Sequence, residues 1–168
     1  MGKDYIRIDD RLIHGQIVIG WCKALEIQEI VAIDDKLAAN PMLQSIMMMG
    51  IPKQYKHHVV TFEQAHALFA QEAEGNRLFV TRMPQDLRHL HQDLPKCEIV
   101  YLGNAGKTPQ AKYNFTKGAA GVLFLSADDI HLMDELTAEG IKIVVQTVPG
   151  TLARTWAEVR KSIKEVAL

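Results

Sequence analysis

The chain is poor in cysteine and in aromatic residues. Its 168 residues hold two cysteines, Cys22 and Cys97, and aromatic side chains make up 7%. So low a cysteine count excludes a disulfide-stapled scaffold, and both thiols are expected to be reduced and buried. No apolar run approaches the ~20 residues that a membrane-crossing helix needs. Met1-Gly2-Lys3-Asp4 leads straight into a strand-like run without a basic-then-apolar leader, so the sequence reads as cytoplasmic. An excess of either charge is also missing. With 19 Lys and Arg against 20 Asp and Glu, the formal net charge is -1. That balance leaves no electrostatic footprint for nucleic acid. There is no internal repeat, low-complexity tract or linker, so residues 1–168 read as a single domain.

Hydrophobic residues make up 48%, the share of an ordinary globular protein with a sizeable core. Strand-like runs at 5–8, 29–33, 57–61, 78–81, 98–102, 121–125 and 141–146 alternate with helical patterns. Several are continuously apolar, such as Ile30-Val31-Ala32-Ile33 and Ile143-Val144-Val145. Runs of that kind suit strands buried on both faces. Ile17, Trp21 and Leu25 share one helical face, flanked by Val18 and Cys22. Asn40-Pro41 reads as an N-cap followed by a first-turn proline. Thr61 with Gln64, and Ser126 with Asp129, have the spacing of capping boxes. Leu152, Trp156, Val159, Ile163 and Val166 stripe a last helix. The alternation predicts a three-layer α/β/α domain around an open, mostly parallel sheet of about six or seven strands. A last helix or a sheet edge of this kind also offers a surface for self-association.

In open α/β sheets, ligands bind beyond the carboxyl ends of the strands. The loop from Asp9 to His14 follows the first strand candidate. Asp34-Asp35, Arg82 and the stretch from Asn104 to Lys107 follow others, so all four are expected along one edge. His14 stands out among these residues. It sits where a charged loop meets a helix start, with Arg11 three residues before it and Gly15 directly after it. A neutral imidazole is a good nucleophile near pH 7. Gly15 lets backbone approach a bulky anion, helix-start N–H groups favour one, and Arg11 offers a planar fork of donors to phosphate oxygens. The alternatives are a helix-capping histidine without chemistry, and an Arg11 spent on a salt bridge to Asp9 or Asp10. Those two acids read as tethers for Arg7 or Arg11, or as holders of loop N–H groups.

The run Arg7-Ile8-Asp9-Asp10-Arg11-Leu12-Ile13-His14-Gly15-Gln16 closely resembles the phosphorylation-site segment of IIB subunits in the mannose–fructose–sorbose family of the bacterial sugar phosphotransferase system. The resemblance continues at Ala32-Ile33-Asp34-Asp35, Ala38-Ala39-Asn40, Leu102-Gly103-Asn104 and Val148-Pro149-Gly150. It implies a phosphotransferase subunit that accepts a phosphoryl group on Nδ1 of His14 from a phosphorylated IIA protein or domain. The group then passes to a sugar held by membrane IIC and IID subunits. It also implies catalytic roles for His14 and Arg11, and phosphate-binding or orienting roles for Asp10, Gly15, Gln16 and Asn104. The chain has Gly103-Asn104-Ala105-Gly106-Lys107 where many members have Gly-Gly-Met-His or Gly-Asn-Met-His, so only Asn104 carries a role over in that loop.

No cofactor or metal is expected, because phosphohistidine would itself be the reactive group. His57-His58, His89 with His91, and Cys97 lack metal-ligand spacing. A rival reading is a regulatory or signalling phosphoacceptor, either receiver-like with an acyl phosphate on aspartate or a paralogue uncoupled from transport. Acid lability with base stability would mark phosphohistidine, whereas acyl phosphate is labile to both.

Overall fold

The computed structural model describes residues 1–15, 17–115 and 122–163. The chain begins with β1 (Asp4–Asp9), a π-helical turn (Ile17–Trp21) and the short α1 (Cys22–Ala24). Next come β2 (Ile27–Ile33), α2 (Asp35–Ala38), α3 (Pro41–Met48), β3 (Lys56–Val60), α4 (Phe62–Phe69) and β4 (Asn76–Thr81). They are followed by α5 (Asp86–His89), a 3-10 turn (His91–Lys96), β5 (Cys97–Asn104), β6 (Tyr113–Asn114) and β7 (Phe124–Leu125). The described chain closes with α6 (Ala127–Ala138), β8 (Ile143–Val145), β9 (Arg154–Thr155) and α7 (Trp156–Arg160). Seven strands form one sheet in the order β3-β2-β4-β1-β5-β8-β9, parallel except for β9. This is the expected three-layer arrangement.

Side chains alternate across the strands and divide the core in two. Ile6 and Ile8 of β1 join Phe79, Leu102, Phe69, Met133 and Trp156 on the face covered by α4 to α7. Tyr5 faces the other way and packs with Trp21, Leu78, Val80 and Tyr101 beneath the π turn and α1. Arg7 and Asp9 share the parity of Tyr5, so the central strand sends two charges into a buried layer. Both are fully buried.

Each cap expected from sequence is formed. Asn40 accepts from Leu43 N–H, and the Thr61/Gln64 and Ser126/Asp129 boxes are reciprocal. Other expectations are corrected. The stretch 17–25 is not a plain α-helix, because its first five residues form a π turn with Ile17, Val18 and Trp21 buried. The candidate at 121–125 is a strand only over Phe124–Leu125; residue 121 lies outside the described residues. It pairs antiparallel with Tyr113–Asn114 in a separate two-stranded ribbon. Gly103 and Asn104 belong to the end of β5, and the loop that follows leads into β6 at Tyr113–Asn114. The last helix spans Trp156–Arg160, preceded by β9; Leu152 is not on it, and Val166 lies outside the described residues.

β1 lies between β4 and β5, so its carboxyl end opens where crossovers leave in opposite directions along the sheet. Its register with β5 slips between Ile8 and Asp9, Ile8 facing Leu102 and Asp9 facing Asn104. The residue left over is Gly103. A Cβ there would lie 2.2 Å from Cζ of Arg7, so the arginine fills the space a side chain would need. Gly103→Ala is therefore expected to lower stability by about 1–3 kcal/mol, the usual cost of overpacking. Urea unfolding of the variant at neutral pH checks this, and an unchanged midpoint would mean that Arg7 relocates without cost.

Candidate functional site

Asp9 closes β1 at the centre of the carboxyl edge, and three cationic or imidazole side chains converge on it. Its Oδ1 accepts from the backbone N–H of Arg11 at 3.0 Å and from Nε of Arg11 at 3.1 Å. Its Oδ2 accepts from Nη2 of Arg11 at 3.2 Å and lies 3.0 Å from Nε2 of His14. Arg7 Nη2 reaches the same oxygen at 3.5 Å. Burial alone would raise the Asp9 pKa, but bonds from His14 and Arg11, with the nearby charge of Arg7, outweigh it and hold the carboxyl at about 2. The group is an anion near neutrality and accepts only. Nε2 of His14 must then carry a proton, and in the neutral imidazole that tautomer has its lone pair on Nδ1.

Arg7 is the inner wall. Burial lowers its pKa to about 10, against the pull of Asp9, so the guanidinium keeps its charge near neutrality. It donates to the carbonyls of Gln146 and Thr147 at 3.0 and 2.7 Å and lies 4.5 Å from the ring centre of Trp21. The segment just before Val148-Pro149-Gly150 is thereby tied to the loop that carries His14. A Cβ on Gly20, within the π turn, would lie 3.2 Å from Cγ of Pro149, so the turn and that segment also touch directly. Leu12, fully buried, holds a left-handed backbone with φ 55°. Such strain costs about 1–2 kcal/mol and persists only where the surroundings fix it. Its N–H donates to the carbonyl of Asp9 at 3.0 Å.

Asp10 points elsewhere. Its carboxylate accepts from Nδ2 of Asn104 at 2.6 Å and from N–H of Gly106 at 3.2 Å. Asn104 Oδ1 accepts from Val122 N–H, so both polar ends of Asn104 are engaged inside the protein. Asp10 and Asn104 thus brace the loop against the strand end beside it. Arg82 braces the other side, donating to Asp34 Oδ2 at 2.7 Å and to the Asp10 carbonyl at 2.8 Å. Asp34 also caps α2, accepting from Leu37 N–H. The four segments expected on one edge do meet there.

Of the residues singled out from sequence, Arg11 and His14 stand together through Asp9, and Arg11 makes the ion pair to Asp9 that was its alternative reading. Gly15 is exposed, and a Cβ there would meet nothing within 4 Å. Gln16 lies outside the described residues. Lys107 is exposed on the neighbouring loop. The other histidines have partners or places away from this cluster: His66 pairs with Asp93, His58 with Glu29 and His91 with Glu139. Among the described residues no group of three or more His, Cys, Asp or Glu is arranged to hold a metal ion. None of their helices is long and apolar enough to cross a membrane.

A buried carboxylate orienting a partly buried imidazole, on the carboxyl edge of a parallel sheet, defines the site as one of a histidine-centred α/β domain. The chain belongs to the PTS system sorbose subfamily IIB component family, whose model matches residues 4–167. Relatives include a probable phosphotransferase enzyme IIB component of Streptococcus pyogenes, 26% identical over 152 residues, which are 82% of this chain and 93% of the relative. The sorbose-specific EIIB component of Klebsiella pneumoniae is 26% identical over 144 residues, covering 84% of this chain and 85% of its own. The crystal structure of the IIBSor domain of the sorbose permease from Klebsiella pneumoniae superposes with a TM-score of 0.83 at 23% identity, over 98% of this chain and 99% of that one.

The depressed Asp9 pKa sets a pH dependence of stability. Its folded value, about 2, lies below the ordinary 3.8, so the stabilisation is complete above roughly pH 5 and is lost as pH falls toward 2. The loss is about 2 kcal/mol. Asp9→Asn should be less stable at pH 7, with Arg7 left unpaired, and should lack that part of the acid dependence. Urea midpoints at pH 7, 5 and 3 check both points. Parallel curves for the two proteins would remove Asp9 from the cause.

Proposed function

We propose that the chain is a phosphocarrier subunit that accepts a phosphoryl group on Nδ1 of His14 from a phosphorylated IIA protein or domain. It then delivers that group to a sugar held by membrane IIC and IID subunits. The observation that carries this reading is the 3.0 Å contact between Nε2 of His14 and the Asp9 carboxylate. With the proton held on Nε2, the Nδ1 lone pair attacks the donor's phosphorus. The donor's bond to that phosphorus breaks as the Nδ1–P bond forms. The positive charge that develops on the imidazole is met by Asp9. In the second half, a sugar hydroxyl oxygen attacks the phosphorus, the Nδ1–P bond breaks and the hydroxyl proton is released. The lone pair returns to Nδ1.

Phosphoryl transfer depends mostly on positioning and charge stabilisation. Arg11 fits the second task. Its side chain is 42% exposed and hangs from the same carboxylate as His14, so its fork can turn to incoming oxygens while staying beside the ring. Gly15 fits the first, since among the described residues no atom lies within 4 Å of a Cβ built there. Asp10 and Asn104 contribute as braces. A receiver-type reading is poorly served, because Asp9 is fully buried under three partners and Asp10 is spent on Asn104 and Gly106.

Incubation with a phosphorylated IIA partner should place an acid-labile, base-stable label on His14, and His14→Ala should take none. Label on another histidine, or undiminished label on His14→Ala, would overturn the assignment. Gly15→Ala separates site from scaffold: its unfolding free energy should change by less than about 0.5 kcal/mol. Its single-turnover labelling should slow by about tenfold or more, because the methyl group occupies the approach to the imidazole. Unaltered labelling would mean that the approach lies elsewhere.

A further inference from the structure

No step of the transfer at His14 touches residues 146–153, which join β8 to β9 without regular secondary structure. The segment is nevertheless closely fixed. Gln146 N–H donates to the carbonyl of Leu102 at 3.2 Å and so continues the pairing of β8 with β5. Its side chain turns along the loop, where Nε2 donates to the carbonyl of Thr151 at 3.0 Å. Thr151 Oγ1 donates in turn to the carbonyl of Val148 at 2.7 Å. The bend between them falls at Gly150, whose φ of 88° lies in the left-handed region that favours glycine. Two side chains thus close the stretch 146–151 on itself.

The closed loop meets the His14 segment at two separate places. At the first, its carbonyls at Gln146 and Thr147 accept from Arg7 at 3.0 and 2.7 Å. Arg7 passes β5 at Gly103, where a side chain would collide with it, and its Nη2 also reaches Asp9, the carboxylate that orients Nε2 of His14. At the second, Pro149 lies against the π turn. A Cβ on Gly20 would stand 3.2 and 3.3 Å from Cγ and Cδ of Pro149. That turn is joined to His14 by the bond from Val18 N–H to the His14 carbonyl at 3.2 Å. The ring and the backbone of His14 therefore both lead back to one loop.

Resting on the phosphocarrier reading, we infer that Gln146 is a positioning residue for phosphoryl transfer at His14: its side chain fixes the loop whose carbonyls hold Arg7 and whose Pro149 backs the π turn. A guanidinium as buried as Arg7 goes where its acceptors are. The two carbonyls therefore set how its Nη2 stands toward Asp9, and Asp9 sets the angle of the ring. Without the bond from Nε2 of Gln146 to Thr151, those carbonyls sit at the mouth of an open loop and no longer define that spacing. Transfer tolerates little of this, since a misplacement of about 1 Å can cost roughly 100-fold in rate. One neutral hydrogen bond adds little to global stability, so the effect of losing it is expected at the site.

The test compares three variants of the full chain. Gln146→Leu keeps the bulk and loses the donor, Thr151→Val removes the second closure of the loop, and Thr151→Ser keeps it. Nitrogen NMR of the His14 ring, at a pH where the ring is neutral, reports the tautomer, and single-turnover labelling by phosphorylated IIA reports transfer. In the unaltered protein we expect the proton on Nε2 alone. Gln146→Leu and Thr151→Val should show a mixture of both tautomers and labelling slower by about tenfold or more, while Thr151→Ser behaves as the unaltered protein does. A loss of stability with one tautomer and normal labelling in the folded fraction overturns the inference and makes the loop a scaffold. Slow labelling with an unaltered ring also overturns it and marks a surface that the donor touches. Equal effects of Thr151→Val and Thr151→Ser overturn it as well, because the retained bond would then not matter. Thr151 is partly exposed, so its variants decide the matter if Gln146→Leu does not fold. If the unaltered protein takes no label at all, the phosphocarrier reading fails, and the ring spectra still decide whether Gln146 positions His14.

Discussion

A carboxylate buried at the end of the central strand governs the rest of the site. Asp9 is wholly removed from water, and an unpaired charge in that position would be prohibitive. Its partners are therefore obligatory. Arg7 comes from the same strand two residues earlier, Arg11 from the turn that follows, and His14 from the approach to the π turn. Because one carboxylate holds all three, the ring cannot be reoriented without disturbing the core. The imidazole borrows its precision from the sheet.

The same constraint extends across the fold through Arg7. A buried guanidinium needs acceptors beyond one carboxylate, and the carbonyls of Gln146 and Thr147 supply them, so the segment after β8 is drawn beneath the loop. It also needs room. The slip in register opposite Asp9 and the missing side chain at Gly103 provide that room, and Trp21 covers the cation from the helical side. Three motifs far apart in sequence, around residues 7–16, 102–104 and 148–150, are thus parts of one packing problem. The left-handed Leu12 is the local backbone cost of turning the chain sharply enough for Arg11 to return to Asp9.

Much of this was legible in the chain. The apolar runs placed β1 to β5 and β8, and cap residues such as Asn40, Thr61 and Ser126 marked helix starts, because those signals are local. The convergence of Asp34, Arg82 and Asn104 with the Asp9–His14 loop followed from topology alone. What escaped depended on contacts between distant segments. The two-residue strands β6 and β9 are too short to leave a periodic signal, and a π turn has no distinctive pattern beside an α-helix. The centrality of Asp9 was within reach. Arg7 and Asp9 alternate with Ile6 and Ile8 in a strand that parallel topology places mid-sheet, so period-two reading puts both charges on one buried face. Their mutual pairing follows from the cost of burial. Asp10, which sequence ranks beside it, lies one residue past that alternation and faces the Asn104 loop instead.

The difference between the two arginines bears on how such a site handles a doubly charged group. Around neutral His14, Asp9 is one anion facing two guanidinium groups, so the resting cluster already holds surplus positive charge. Arg7 cannot redistribute its share: it is fully buried, bound to two carbonyls and packed on an indole. Arg11 is partly in solvent, and its Nε and Nη2 both donate to Asp9. In the phosphocarrier reading, incoming phosphoryl oxygens compete with Asp9 for Arg11, while Arg7 alone keeps the carboxylate neutralised in the interior. Asp9 then remains an anion for Nε2 at the moment the imidazole gains charge. On that reading the two arginines divide the work, Arg7 holding the carboxylate while Arg11 meets the phosphate.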